Sequence, residues 1–182
     1  MTRRFLLPAA ALCAATLAAC AQTGSGKPID GHDPHAMQLM QAGQATCLVT
    51  TASQNQHGAA VTSAVRRNAG LPPVQSSPVL AQVAAAHACD MAQRGRMTHL
   101  GTKTTGPGPR VKAAGYAPSV TAENIAAGPF SQERVLSEWN ASRGHLDNIL
   151  IPQVRDYGIG QAIGPDGKTR FWAAVYAAPR GR

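Results

Sequence analysis

The stretch WNASRGHLDNIL (139–150) decides how this chain is read. A tryptophan closes one amphipathic run, a short polar link follows, and a Gly-His pair leads into Asn148 and two apolar residues. Working outward, three further motifs stand upstream: HACDMA (87–92), an isolated His99 in THLG, and AENIA (122–126). Downstream, FWAAVY (171–176) has the aromatic and β-branched character of a strand. Long gaps separate His99, Glu123 and His145, so only a fold can bring them to one place.

The elements around these motifs follow from punctuation and period. Ser77 is an N-cap and Pro78 suits a first turn; Leu80, Ala84, His87 and Met91 then recur on one helical face until Gly95. Residues 61–69 read as a helix stopped by Gly70 and Pro72-Pro73. A short helix is expected over 110–114. Ser131 caps another, with Glu133 in its first turn, Val135, Leu136 and Trp139 inward, and Gly144 as its end. Residues 157–163 and 170–177 read as strands joined by the turn Gly164-Pro165-Asp166-Gly167. Helices first and a terminal hairpin give an α+β class. One domain over 60–179 is expected, a size that buries roughly two-thirds of its unfolded surface.

The N-terminal part is read differently. Arg3 and Arg4 precede a mostly apolar stretch (5–19), too short for a membrane span and suited to a secretory leader over 1–19. Leu17-Ala18-Ala19-Cys20 resembles a bacterial lipobox, which makes Cys20 the expected lipidation site and a membrane the first partner; Ala21 resembles an outer-membrane sorting signal. Residues 20–59 are read as lipidated N-terminus and flexible tether, with His32 and His35 in solvated linker. Without Arg3 and Arg4 the formal charge falls from +8 to +6. A basic chain in the periplasm or outer membrane meets anionic envelope material. Its basic residues are dispersed, with no aromatic strip among them for stacking bases, which argues against nucleic acid. Cys47 and Cys89 are an even pair in an oxidising space, and a disulfide is favoured over two free thiols.

Taken in order, the motifs resemble the CAP superfamily of cysteine-rich secretory proteins, antigen 5 and pathogenesis-related 1 proteins, in its short bacterial branch. The resemblance covers about 61–177 and implies a CAP (SCP-like) domain: a three-layer α-β-α sandwich around a central antiparallel sheet. It also implies a cleft lined by His99, Glu123 and His145. Larger members carry an acid three residues after the tryptophan, where this chain has Ser142. Two imidazoles and one carboxylate are the ligand types of an open zinc site, here His99, His145 and Glu123. With Ser142 in the fourth place, a divalent ion such as zinc would meet one negative charge and be held weakly.

Other residues have plainer readings. His87 is expected in the core, as are Trp139 and Trp172. Asn124 is expected to fix backbone around a turn at Glu123, and Asn148 to satisfy loop backbone. Ser142 with His145 lacks the Gly-x-Ser-x-Gly elbow of a hydrolase. The favoured function is an envelope-anchored lipoprotein whose cleft binds a ligand: a small hydrophobic or polar molecule, a lipid or a wall component. A metal-assisted hydrolase of peptides or cell-wall material, and an interaction module with an idle cleft, stay open beside it.

Overall fold

A computed structural model describes residues 33–181; the leader over 1–19, Cys20 and His32 lie outside the described residues. The elements run β1 Met37–Gln38, β2 Thr46–Cys47, α1 Ala52–Asn68, β3 Gln75–Ser76, α2 Pro78–Arg94, β4 Arg96–Met97, α3 Pro107–Ala113, β5 Pro118–Gly128, α4 Gln132–Ala141, α5 Arg143–Ile149, β6 Asp156–Ile163 and β7 Arg170–Pro179. The main sheet has the order β2-β6-β7-β5, all antiparallel, with β3 added parallel to β6. A second, two-stranded sheet pairs β1 with β4.

Alternation along the terminal hairpin builds two cores, one on each face of the sheet. Tyr157, Ile159, Trp172, Ala174 and Tyr176 join the cluster that contains Val135, Leu136, Trp139 and Ile149 of α4 and α5. Ala162, Phe171, Ala173, Val175 and Ala177 join Leu80, Ala84, Ala88 and Met91 of α2 and Val111 of α3. The result is the α-β-α sandwich that the resemblance implied. Glycines let α2 lie directly on the backbone of β6. A Cβ at Gly158 or Gly160 would sit 2.1 Å from main-chain atoms of Leu80 and Ala81, or of Ala85. These two glycines alternate with the inward-facing Tyr157 and Ile159, so the YGIG repeat is a requirement of packing.

Helix α2 forms as its caps dictate. The Ser77 hydroxyl accepts from Leu80 N, Pro78 occupies the first turn, and Gly95 ends the helix in the left-handed region at φ 61°. Helix α1 begins at Ala52, well before the expected 61, and its start was signalled. Thr51 and Gln54 form a capping box, but the polar run behind it masks the helical period. Folded structure therefore includes residues 52–59, which the sequence assigned to tether. The expected helix ending at Gly144 instead breaks at Ser142, and Gly144 lies inside the separate short helix α5. The short helix expected over 110–114 begins earlier, at Pro107. AENIA is not a turn. It is the middle of β5, whose Ala122–Ile125 run is buried without alternation.

Cys47 and Cys89 are disulfide-bonded with their Cα atoms 5.1 Å apart, tying β2 to α2. On the chain-entropy model a loop of this length contributes roughly 4 kcal/mol. Among the described residues no helix is long and apolar enough to cross a membrane.

Candidate functional site

Among the described residues β5 pairs only with β7, and its other edge carries carbonyls that need partners. Side chains from the Trp139 helix and from α5 cap it. Trp139 Nε1 donates to Ile125 O at 3.3 Å, and Asn148 Nδ2 donates to Glu123 O at 3.2 Å. Asn124, fully buried on the same strand, donates from Nδ2 to His145 O (3.1 Å) and to Tyr176 Oη (3.2 Å), while its Oδ1 accepts from Asn148 Nδ2 (2.8 Å). Asn124 therefore sets the position of α5, and with it His145. Asn148 satisfies strand-edge backbone rather than a loop.

The far end of α5 is held by Arg66, which the sequence showed only as one of several scattered basic residues. Its side chain is completely buried, and its bonds all go to backbone carbonyls: Pro72 (2.8 Å), Ile149 (2.7 Å), Ile151 (2.9 Å) and Val154 (3.0 Å). A guanidinium suits this task because its fixed fork can reach several carbonyls at once.

Between α4, α5, the edge of β5 and residue 99 lies a cleft of about 670 Å³. His99, Glu123, Ser142 and His145 all line it, and the fold thus brings the four singled-out residues together. His35 joins them, although the sequence placed it in solvated linker; nothing in its local pattern signalled a cleft residue. Apolar walls come from Ile125, Phe130 and Trp139. A larger groove of about 730 Å³ runs along α2 beside the disulfide, but it contains no histidine and none of the four cleft residues.

Glu123 is the electrostatic centre of the site. Its side chain is 1 % exposed, and Arg110 Nη2 donates to both carboxylate oxygens at 2.8 and 2.7 Å. His99 Nδ1 lies 3.0 Å from Oε1, and His87 Nε2 lies 3.5 Å from the same oxygen. Burial alone pushes the Glu123 carboxyl up, but the neighbouring histidines and the Arg110 guanidinium outweigh it and hold it below the usual carboxylate range. Against an ionised Glu123, which can only accept, His99 Nδ1 is the donor of this pair. Arg110 also donates from Nη1 to His99 O (3.0 Å) and Thr104 Oγ1 (3.1 Å), so one guanidinium fixes both cleft residues.

His87 is buried in the core, as expected, with Nε2 2.9 Å from Thr98 O. Burial pulls its pKa down to about 4, more than nearby Glu123 raises it, so the ring is neutral at pH 7. His145 is lowered as well, first by burial and then by the proximity of His99 and His35. A backbone hydrogen bond with Ile125 offsets part of that lowering. Ser142 stays half-buried at the junction of α4 and α5, and no hydrogen bond joins it to His145, as a nucleophile and base would need.

The expected metal set His99, His145 and Glu123 does not fit a divalent ion as placed. Both Glu123 oxygens already face a guanidinium, so a cation there would have to displace Arg110 and would meet no net negative charge. Among the described residues no group of three or more His, Cys, Asp or Glu is placed to hold a metal ion.

Comparison with known proteins agrees with this architecture. The family model described as "Cysteine-rich secretory protein family" (CAP) matches residues 59–176. The uncharacterized protein YkwD of Bacillus subtilis is 33% identical over 100 residues, covering 55% of this chain and 39% of that protein. This chain thus spans well under half the length of that relative. Among solved structures, an extracellular SCP-domain protein of Bacillus anthracis superposes with a TM-score of 0.61 at 24% identity, over 69% of this chain and 40% of the other. An outer surface protein of Borrelia burgdorferi superposes with a TM-score of 0.63 at 17% identity, over 76% of this chain and 99% of the other. At these identities the structural likeness speaks for the fold.

Proposed function

Because this chain belongs to the cysteine-rich secretory protein (CAP) family, we propose that it is an extracytoplasmic binding protein, attached to the envelope through lipidated Cys20, whose cleft takes an amphiphilic ligand. The observation that carries this reading is the pairing of Glu123 with Arg110 beneath a roomy, largely apolar cleft. A carboxylate held by a guanidinium and kept below its ordinary pKa is a poor proton acceptor at neutral pH. What remains open to a ligand is a recognition surface. Ile125, Phe130 and Trp139 offer apolar walls, and the rings of His99 and His145 offer directional polar contacts. A lipid tail or a wall fragment with both apolar and hydroxyl or amide groups matches that lining. Secretion is supported by the family's description, by the leader-like 1–19 segment and by the Cys47–Cys89 bridge, which persists in oxidising compartments.

The test is a titration of isotope-labelled protein followed by amide NMR, with a saturated fatty acid in one arm and a soluble peptidoglycan fragment in the other. At least one probe should saturate with shifts centred on residues 123–127 and 142–148. If neither probe moves those amides, or if the shifts centre on the groove along α2, the cleft-binding reading fails.

A further inference from the structure

Residues 33–38 precede the stretch that the family model matches, yet they form part of the cleft wall. Pro34, His35, Ala36 and Met37 line the cleft opposite His99 and His145. The ring of His35 stands edge-on to that of His99, with centroids 6.4 Å apart. We propose that residues 33–38 are a strap across this cleft, latched by the Asp33 carboxylate, which swings away to open the site and returns to place His35 against whatever occupies it.

The two ends of the strap are held in different ways. At the latch, Asp33 Oδ2 accepts from Thr98 Oγ1 (2.7 Å) and from His99 N (2.6 Å), while Oδ1 accepts from His35 N (2.9 Å). Thr98 is itself buried, so the carboxylate is seated on the turn that carries His99. At the other end, Leu39 N and Met40 N both donate to Gly95 O, and Gly43 N donates to Gln93 O. Gly95 makes this end a fixed hinge, because it lies so close to Met40 that a Cβ would overlap the Met40 carbonyl. Between hinge and latch the strap is held by the two-residue ladder Met37↔Met97 and Gln38↔Arg96 and by Gln38 Nε2, which donates to Arg94 O and Gly95 O at 3.2 Å each.

Little apolar surface holds the strap down. His35 is exposed and Met37 is 53% exposed. A segment held by a few hydrogen bonds, with little buried apolar area, opens locally at far less cost than the domain unfolds. The latch and the hinge act independently of which ligand the cleft takes, so the strap stands apart from the binding reading above.

The experiment measures carbethoxylation of His145 by diethylpyrocarbonate at pH 7, resolved by peptide mass spectrometry on the full chain. Asp33→Ala removes the latch and should raise the His145 rate on the order of ten-fold, the scale of losing charge-assisted hydrogen bonds. A Met37→Cys/Met97→Cys pair, bridged across the ladder, should fall below the wild-type rate. The single Met37→Cys variant carries the same cleft-wall substitution without the bridge and should react faster than the bridged pair. Amide exchange of β7 reports in each case whether the core is intact. If Asp33→Ala loses that protection, the bridged pair against the single variant decides. Equal His145 rates with and without the bridge would overturn the strap, as would an unchanged rate in a well-folded Asp33→Ala protein.

Discussion

Replacing Arg110 with Met removes the one permanent positive charge that touches Glu123 among the described residues. In the native protein the guanidinium spans both oxygens at 2.7 and 2.8 Å, the carboxylate is 1 % exposed and the arginine 10 %. Water therefore cannot take over from the lost partner. Breaking a buried pair by removing one member costs about 3–5 kcal/mol, because the surviving charge is left desolvated. The two further bonds from Nη1, to His99 O and Thr104 Oγ1, lie nearer the surface and add less. His99, still 3.0 Å from Oε1, recovers part of the loss. A net destabilisation of about 4 kcal/mol is expected in urea unfolding at pH 7, and roughly 8–16 °C in Tm for a domain of this size. The deficit should shrink toward pH 4.5. An unpaired buried carboxyl has a raised pKa, so the variant protonates where the wild type does not. The double variant Arg110→Met/Glu123→Gln should recover at least half of the loss, since no buried charge is then unpaired. A single variant that loses less than about 1 kcal/mol, or a double variant no better than the single, would refute the assignment of Glu123 as the guanidinium's structural partner.

Acid should destabilise the fold in two stages. His87 is depressed to about 4 from an ordinary 6.5, so the unfolded chain binds its proton first. Its contribution is complete above pH 6.5 and falls away by about 3 kcal/mol as pH drops to 4, with His145 adding to the same slope. Asp33, Asp90 and Glu123, all held low, add a further loss below that. In His87→Gln the slope between pH 6.5 and 4 should flatten markedly; an unaltered slope would remove His87 from the explanation. Gly160→Ala should cost at least 3 kcal/mol or prevent folding, because its Cβ would overlap the Ala85 backbone, and a stability within 1 kcal/mol of wild type would show that α2 does not lie on β6 as described. Cys20→Ala should shift the protein from the membrane to the soluble fraction or leave its precursor unprocessed. A processed protein that still sediments with membranes would end the lipid-anchor proposal.

How much of this was legible in the sequence depended on where the signal resided. Helix α2 and the terminal hairpin announced themselves because their information is local: Ser77-Pro78 and Gly95 at the helix ends, and in the hairpin two runs with aromatic and β-branched residues joined by a Gly-Pro-Asp-Gly turn. β5 did not, because Ala122, Glu123 and Asn124 at its centre are residue types depleted in strands. The start of α1 was written in Thr51 and Gln54, yet a polar face without apolar repeats hid it. His99, Glu123, Ser142 and His145 were reachable through the order of the motifs. Arg110, Arg66, Asp33 and His35 were not. Each acts through partners distant in the chain, and an exposed-looking Arg or a linker His has no local mark that distinguishes it from ordinary surface.

The central claim is that the cleft at the edge of β5 holds a ligand, and the mass of the intact native protein isolated from its own source cells tests it most directly. Gly144 lines the cleft and has open space where a side chain would begin, so Gly144→Trp fills the site without disturbing the fold. The account predicts a small-molecule adduct on the wild-type protein that is missing from Gly144→Trp. Bare polypeptide mass for both proteins, or an adduct that Gly144→Trp retains, would contradict it.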